Sequence, residues 1–187
     1  MSVPRRPSRA ELAAAAGKTV ADVLAVDLQV LFCGINPGLY TAAIGHHFGR
    51  PGNRFWPALY AAGFTDRLLS PYEERELLPR FGITNLVARA SARGDDLTAD
   101  ELREGARLLE RKVARYRPKV VAFLGITAYR TAFERPRAVL GRQPEMLAES
   151  ALWVLPNPSG LNAHYSAADL ARLFDELRQS ILRGRAV

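Results

Sequence analysis

The sequence predicts an α/β protein: a single-domain, three-layer α/β/α sandwich around a central, mostly parallel four-stranded sheet. Two observations carry this expectation. Four short runs rich in β-branched and aliphatic residues, at 29–33, 83–87, 119–124 and 153–156, alternate with segments of helical periodicity. Such alternation sets strands parallel and lays the connecting helices on both faces of the sheet. The helical segments also carry start and stop residues at their ends. At 187 residues the chain is long enough to bury a substantial core in one domain.

Residues 1–8 read as a flexible basic tail and residues 9–187 as the domain. Ser8-Arg9-Ala10-Glu11 is a capping-box sequence opening a short Ala-rich helix, which Gly17 stops. A second short helix is expected over 20–24. After the strand at 29–33, a long aperiodic connection runs from Asn36 to about Asn53, and connections of that length are often functional. Asn53 is placed to cap a helix over 54–62, with Phe55, Leu59 and Ala62 on one face. Pro71 opens another helix, to about Arg80. Beyond the strand at 83–87, Thr98-Ala99-Asp100-Glu101 is a second capping box. It heads a long helix to about Tyr116, with Leu102, Leu109 and Val113 inside, and Pro118 ends it. The strand at 119–124 turns at Gly125 into a helix over 126–133. Residues 134–150 read as loop with room for a hairpin, ahead of the strand at 153–156. Ser166-Ala167-Ala168-Asp169 starts the final helix, where Leu170, Leu173, Phe174, Leu177 and Ile181 fall on one face.

Composition narrows the function. Net charge is +7, from 26 basic and 19 acidic residues, a balance that favours a polyanionic partner. The basic residues are mostly Arg, suited to bidentate phosphate contacts; Arg50, Arg54, Arg89 and Arg93 lie near the expected active edge. Cys33 is the only cysteine, which excludes intrachain disulfides and any cluster held by several protein thiolates. Three histidines, two of them adjacent, argue against a structural zinc site. No cofactor and no metal are expected. No apolar run reaches the length of a membrane span, and the basic N-terminus lacks the apolar region of a signal peptide. The expected location is cytoplasmic.

Two Asn-Pro turns concentrate the functional signal. Gly34-Ile35-Asn36-Pro37-Gly38 follows Val30-Leu31-Phe32-Cys33, and Asn157-Pro158-Ser159-Gly160-Leu161-Asn162 follows Leu152-Trp153-Val154-Leu155. Pro fixes φ and Gly opens positive φ, so each turn holds a polar amide in a defined place. Ligands of open α/β sheets bind beyond the carboxyl ends of the strands, where two such turns would form a two-sided clamp. Either turn alone is ordinary punctuation. Gly45-His46-His47-Phe48, Arg50-Pro51-Gly52-Asn53-Arg54-Phe55-Trp56 and Gly82-Ile83-Thr84-Asn85-Leu86-Val87 lie between them. From about Val26 to about Glu176, the whole order resembles the mismatch-specific uracil/thymine branch of the uracil-DNA glycosylase superfamily.

The resemblance implies a strand order of 2-1-3-4 and a monofunctional DNA glycosylase. Its partner would be double-stranded DNA in which uracil, thymine or another damaged pyrimidine is mispaired with guanine. Excision would leave an abasic site for base excision repair. The target nucleotide must be flipped out of the stack, the departing base stabilised, and a water placed on the far face of the sugar. Asn36 would hold that water, although an amide cannot take its proton. Phe48 would stack on the base or else anchor the loop in the core, with the Ile35 and Phe48 backbone N–H groups toward the base carbonyls. Thr41 and Ala42 would line the pocket floor near the pyrimidine C5. Asn85 is either an inner polar residue of the pocket or a structural hydrogen bonder. His46 and His47 are open between phosphate or base contact and packing.

Leu161 would be the wedge that enters the vacated stack, with Gly160 and Asn162 backbone groups reading the widowed guanine. Where relatives carry Arg shortly after the Gly, this chain has Leu161-Asn162-Ala163-His164, so His164 is the candidate substitute. Asp96 fills the acid position ahead of the long helix. Asp95 is extra: a second catalytic residue that activates the water, or a solvated loop acid. None of Lys18, Lys112 and Lys119 sits in a motif, so no Schiff-base nucleophile is indicated. A monomer is expected, since no spare apolar helix face is evident. The competing class is a basic α/β module that recognises mismatched or damaged DNA without cleaving it. A hydrolase of free nucleotides fits less well, because the chain has no P-loop glycine pattern.

Overall fold

A computed structural model of the protein describes residues 5–184. Part of the expected tail, residues 1–4, lies outside the described residues. Arg5 pairs with Glu11, and Ser8 caps α1 (Arg9–Ala13) through the capping box legible in the sequence.

The sheet has five strands rather than four. Its order is β2 (Phe81–Asn85), β1 (Val30–Gly34), β3 (Val120–Leu124), β5 (Ser150–Leu155) and β4 (Gly141–Leu147). The first four pair in parallel, in the order the resemblance implies. The added strand is β4, which runs antiparallel to β5 at the edge. Its burial alternates, with Gln143 and Leu147 inward and Arg142, Pro144 and Met146 outward. Pro144 is tolerable there because an edge strand need not donate on its outer side; in the sequence, that proline hides the period-2 pattern.

Burial on both faces explains the continuous apolar runs of the parallel strands. Val30 and Phe32 face one core layer, formed with α3 (Phe55–Ala61) and α6 (Ala167–Leu182). Leu31 and Cys33 face the other, formed with α4 (Ala99–Tyr116) and α5 (Ile126–Ala132). Phe32 is the hub of the first layer, edge-on to Phe55 at 5.4 Å and stacked on Phe174 at 6.0 Å. Each such side chain contributes roughly 1.5–3 kcal/mol on burial.

Three other segments differ from expectation. Residues 20–24 are not helical. Val23 forms an antiparallel bridge with Ile83, each N–H reaching the other's carbonyl at 2.9 Å. A buried β-branched residue beside an open strand edge gains more from pairing than from an isolated helical turn. The long connection after β1 holds a helix, α2 (Leu39–Ile44), between Gly38 and the left-handed Gly45. Its Ala42 packs with Ala15 and Ala90 in a small third cluster. The helix expected from Pro71 to Arg80 is a shorter 3-10 helix, Pro71–Leu77.

Candidate active site

The carboxyl ends of β1, β2 and β5 open on one edge of the sheet, and both Asn-Pro turns lie there. A cleft of about 150 Å³ is lined by Ile35, Asn36, Thr41, Phe48 and Asn85 from one side and by Asn157 and Leu161 from the other. The structure thus brings together five of the predicted pocket and catalytic residues with the tip of the predicted wedge.

Asn36 is held by its own amide. Its Nδ2 donates to the Arg89 carbonyl at 3.0 Å and to Ser91 Oγ at 2.8 Å. A carbonyl only accepts, so the Arg89 contact sets which end of the amide points where. Both amide protons are engaged, and Oδ1 has no protein donor among the described residues. The site therefore offers a fixed acceptor at the cleft wall. Ser91 Oγ donates onward to the Arg93 carbonyl at 2.5 Å, which holds the supporting loop.

Phe48 sits in the left-handed region at φ +53° and stacks on Phe55, with ring centroids 4.0 Å apart and planes at 25°. It lines the cleft and also packs against the core, so the loop-anchoring contact is present. Gly34 makes this possible. A Cβ there would lie 2.6 Å from Asn85 Oδ1 and 3.4 Å from the Phe48 ring. The N–H groups of Ile35 and Phe48 have no protein acceptor among the described residues.

Asn85 Nδ2 lies 3.3 Å from His47 Nδ1, and His47 Nε2 lies 3.0 Å from the Ala21 carbonyl. The carbonyl requires a proton on Nε2, which leaves Nδ1 to accept from Asn85. Burial pushes the His47 pKa down, against the pull of Glu74 in the other direction. His47 is therefore the neutral, buried support of Asn85. Glu74, itself 6% exposed, accepts the His47 backbone N–H at 2.8 Å and contacts His46 Nδ1 at 2.9 Å. Nothing local in the sequence marks Glu74, because its partners lie 27 and 28 residues away.

Thr41 lines the cleft, with Oγ1 accepting the Gly49 N–H at 3.2 Å. Ala42 does not line it, which corrects the sequence expectation. Neighbouring helix residues point about 100° apart, so Ala42 is turned into the cluster with Ala15 and Ala90.

Asp95 does not line the cleft that holds Asn36. It is exposed and lines an adjoining cleft of about 580 Å³, together with Leu97, Ile126, Thr127, His164 and Tyr165. The two clefts share Ile35, Gly94, Asn157, Ser159 and Leu161, and so form one groove. A third cleft, about 490 Å³ in volume, lies at the amino end of the strands among Val113, Arg117, Lys119 and Ser150, and holds no turn residue.

The second turn bonds inward. Asn157 Oδ1 accepts the Ser159 N–H at 3.0 Å, and Ser159 Oγ accepts the Leu161 N–H at 3.3 Å. The Asn162 N–H donates to the Ser159 carbonyl at 3.0 Å, and its own carbonyl is taken by Arg54 at 2.8 Å. Both Asn162 backbone groups are thus committed within the protein. Gly160 keeps its backbone groups unbonded among the described residues. Leu161 stands 70% exposed between them. His164 is exposed, and its N–H donates to Asn162 Oδ1 at 3.2 Å.

The arginines divide. Arg54 and Arg89 are committed internally, Arg54 to loop carbonyls and Arg89 to Glu101, whose carboxyl it holds down at about 2. Arg50 and Arg93 are exposed at the cleft wall. Among the described residues, no group of three or more His, Cys, Asp or Glu is placed to hold a metal ion.

A mostly parallel sheet with a polar cleft beyond the carboxyl ends of its strands, lined by an aromatic ring and flanked by two rigid turns, defines an open-sheet α/β protein with a cleft where such sheets bind ligands. The chain matches the model of the uracil DNA glycosylase superfamily over residues 21–181, which takes in both turns, and it belongs to that superfamily. Uracil DNA glycosylase activity goes with that membership. The solution NMR structure of a candidate uracil DNA glycosylase from Methanosarcina acetivorans is similar, with a TM-score of 0.57 and 20% identity. The match covers 87% of this chain and 98% of that one. At such identity the likeness is one of fold.

Proposed function

We propose that this protein is a mismatch-specific, monofunctional glycosylase. It flips uracil opposite guanine from double-stranded DNA, cleaves the N-glycosidic bond and leaves an abasic site for base excision repair. The observation that carries the reading is the Asn36 amide, oriented by Arg89 and Ser91 so that only its acceptor is free. A hydrogen-bond acceptor without a proton-accepting carboxylate orients water and does not deprotonate it. Catalysis then rests on positioning and on stabilising the departing base.

The cleft is smaller than the roughly 300–1,000 Å³ pockets of drug-sized ligands, and its size suits a single-ring base. Phe48 supplies the stacking face, the free Ile35 and Phe48 N–H groups meet the base carbonyls, and Asn85 stands at the inner end. Leu161 fills the vacated stack. Asn36 works alone in this reading, and Asp95 serves the rim of the groove.

Single-turnover release of free base from U·G, U·A and T·G duplexes and from single-stranded uracil tests the proposal. Release from U·G that collapses in Asn36→Ala supports it. Tight duplex binding with no release on any substrate would replace it with the non-catalytic recognition module.

A further inference from the structure

We propose that Arg54 is a positioning residue that clasps the wedge loop to the base pocket, so that Leu161 is presented at a fixed height whenever the pocket is formed. The inference rests on the glycosylase reading above and goes one step further, to what makes flipping from a duplex efficient. Arg54 touches four carbonyls of the 157–165 loop. Its backbone N–H donates to Pro158 at 2.9 Å. Its Nη2 donates to Ser159 and to Asn162, each at 2.8 Å, and its Nη1 donates to Tyr165. These acceptors bracket Leu161 on both sides. The guanidinium Nε is buried without a partner among the described residues, so the inner edge of the fork lies against protein.

The next residue, Phe55, stacks on Phe48. One backbone step therefore links the aromatic ring of the cleft to the loop that carries the wedge. Gly160 closes the contact from the other side: a Cβ there would lie 2.5 Å from the Gly52 carbonyl oxygen. Planar, forked donors are needed to meet several carbonyls at once, and an ammonium on a flexible stem cannot reproduce them. Arg54 does not line the cleft that holds Asn36 and Phe48.

The test compares uracil opposite guanine with uracil opposite an abasic-site analogue, where no pairing must be broken and the wedge matters little. Single-turnover rates are measured for the wild type, Arg54→Lys, Leu161→Ala and the double variant. A 2-aminopurine beside the uracil reports unstacking. Arg54→Lys is expected to lower the U·G rate by about tenfold, in line with losing hydrogen bonds to a charged group. Its rate on the abasic-opposed uracil should change less than about threefold. The double variant should match Leu161→Ala, since residues acting through one another are non-additive. Equal losses on both substrates, or losses that multiply in the double variant, would overturn the proposal. Arg54→Gln, which shortens the side chain and removes the charged fork, should show the same substrate split; it stands in if Arg54→Lys does not fold. If the wild type releases no base at all, the glycosylase reading fails on its own. The clasp is then judged by the 2-aminopurine amplitude at full occupancy, which Arg54→Lys should reduce and which, if undiminished, refutes it.

Discussion

The two Asn-Pro turns begin with the same dipeptide at the same edge of the sheet, and they use it in opposite ways. Asn36 sends its amide protons outward, to groups 53 and 55 residues away, and keeps its oxygen free. Asn157 turns its oxygen inward onto Ser159, two residues on, and closes its own loop. The first arrangement makes a polar acceptor on a rigid wall. The second makes a self-contained turn whose tip, Leu161, is apolar and exposed, and which an external arginine holds from beneath. The difference shows that residue type sets what an amide can offer, while the partners on the other side of the fold decide what it does offer.

Substitutions at the two asparagines break the comparison most directly. Asn36→Ala is expected to cost about 10²–10³-fold in single-turnover uracil release, the scale of losing one preorganised polar group at a reacting centre. Its stability should fall by only about 1–2 kcal/mol, for two hydrogen bonds lost in one amide. Phe48→Ala removes the stacking face, worth roughly 1–3 kcal/mol per base, and should lower kcat/KM for U·G by about tenfold or more. Asn157→Ala should lose about 1 kcal/mol of stability with its turn bond and slow excision only a few-fold, far less than Asn36→Ala. Comparable losses at the two positions would mean that both turns act alike.

A pH profile sharpens the contrast, because the pocket side of the cleft, through Asn85, leans on the buried, titrating His47. Burial holds the folded pKa of His47 below its ordinary 6.5. The unfolded chain therefore binds the extra proton first, and stability rises with pH through that window. Stability should be full above about pH 6.5 and be lost as pH falls toward the folded value. His47→Gln should flatten this slope in urea titrations. The carboxylates of Glu73 and Glu101, held down at about 2, lose their contribution only below their usual 4.5, so the two windows separate. The smallest effect is expected at Asp95. With its side chain on the rim of the adjoining cleft, Asp95→Ala should change the U·G rate by less than about threefold, as a solvated surface charge does. A hundredfold loss would instead bring the loop over the pocket and restore it as a base.

What the sequence determined by itself was local. Capping boxes at Ser8, Thr98 and Ser166 all form, because their two hydrogen bonds span three residues. The four parallel strands were legible as apolar runs, since burial on both faces leaves no polar alternation. The placement of two rigid polar turns at strand ends followed from Pro and Gly. The edge strand β4 was obscured by its proline, and α2 by its shortness between two glycines. The tertiary structure alone decided which end of the Asn36 amide is free, that His47 is neutral and backs Asn85, and that Ala42 turns away from the cleft. It alone recruited Glu74, and it sent Arg54 to carbonyls up to 111 residues distant. Hydrogen bonds and ion pairs are satisfied by whatever the fold brings within about 3 Å. Between residues far apart in the chain, that proximity is set by how the layers pack, and no local pattern encodes it.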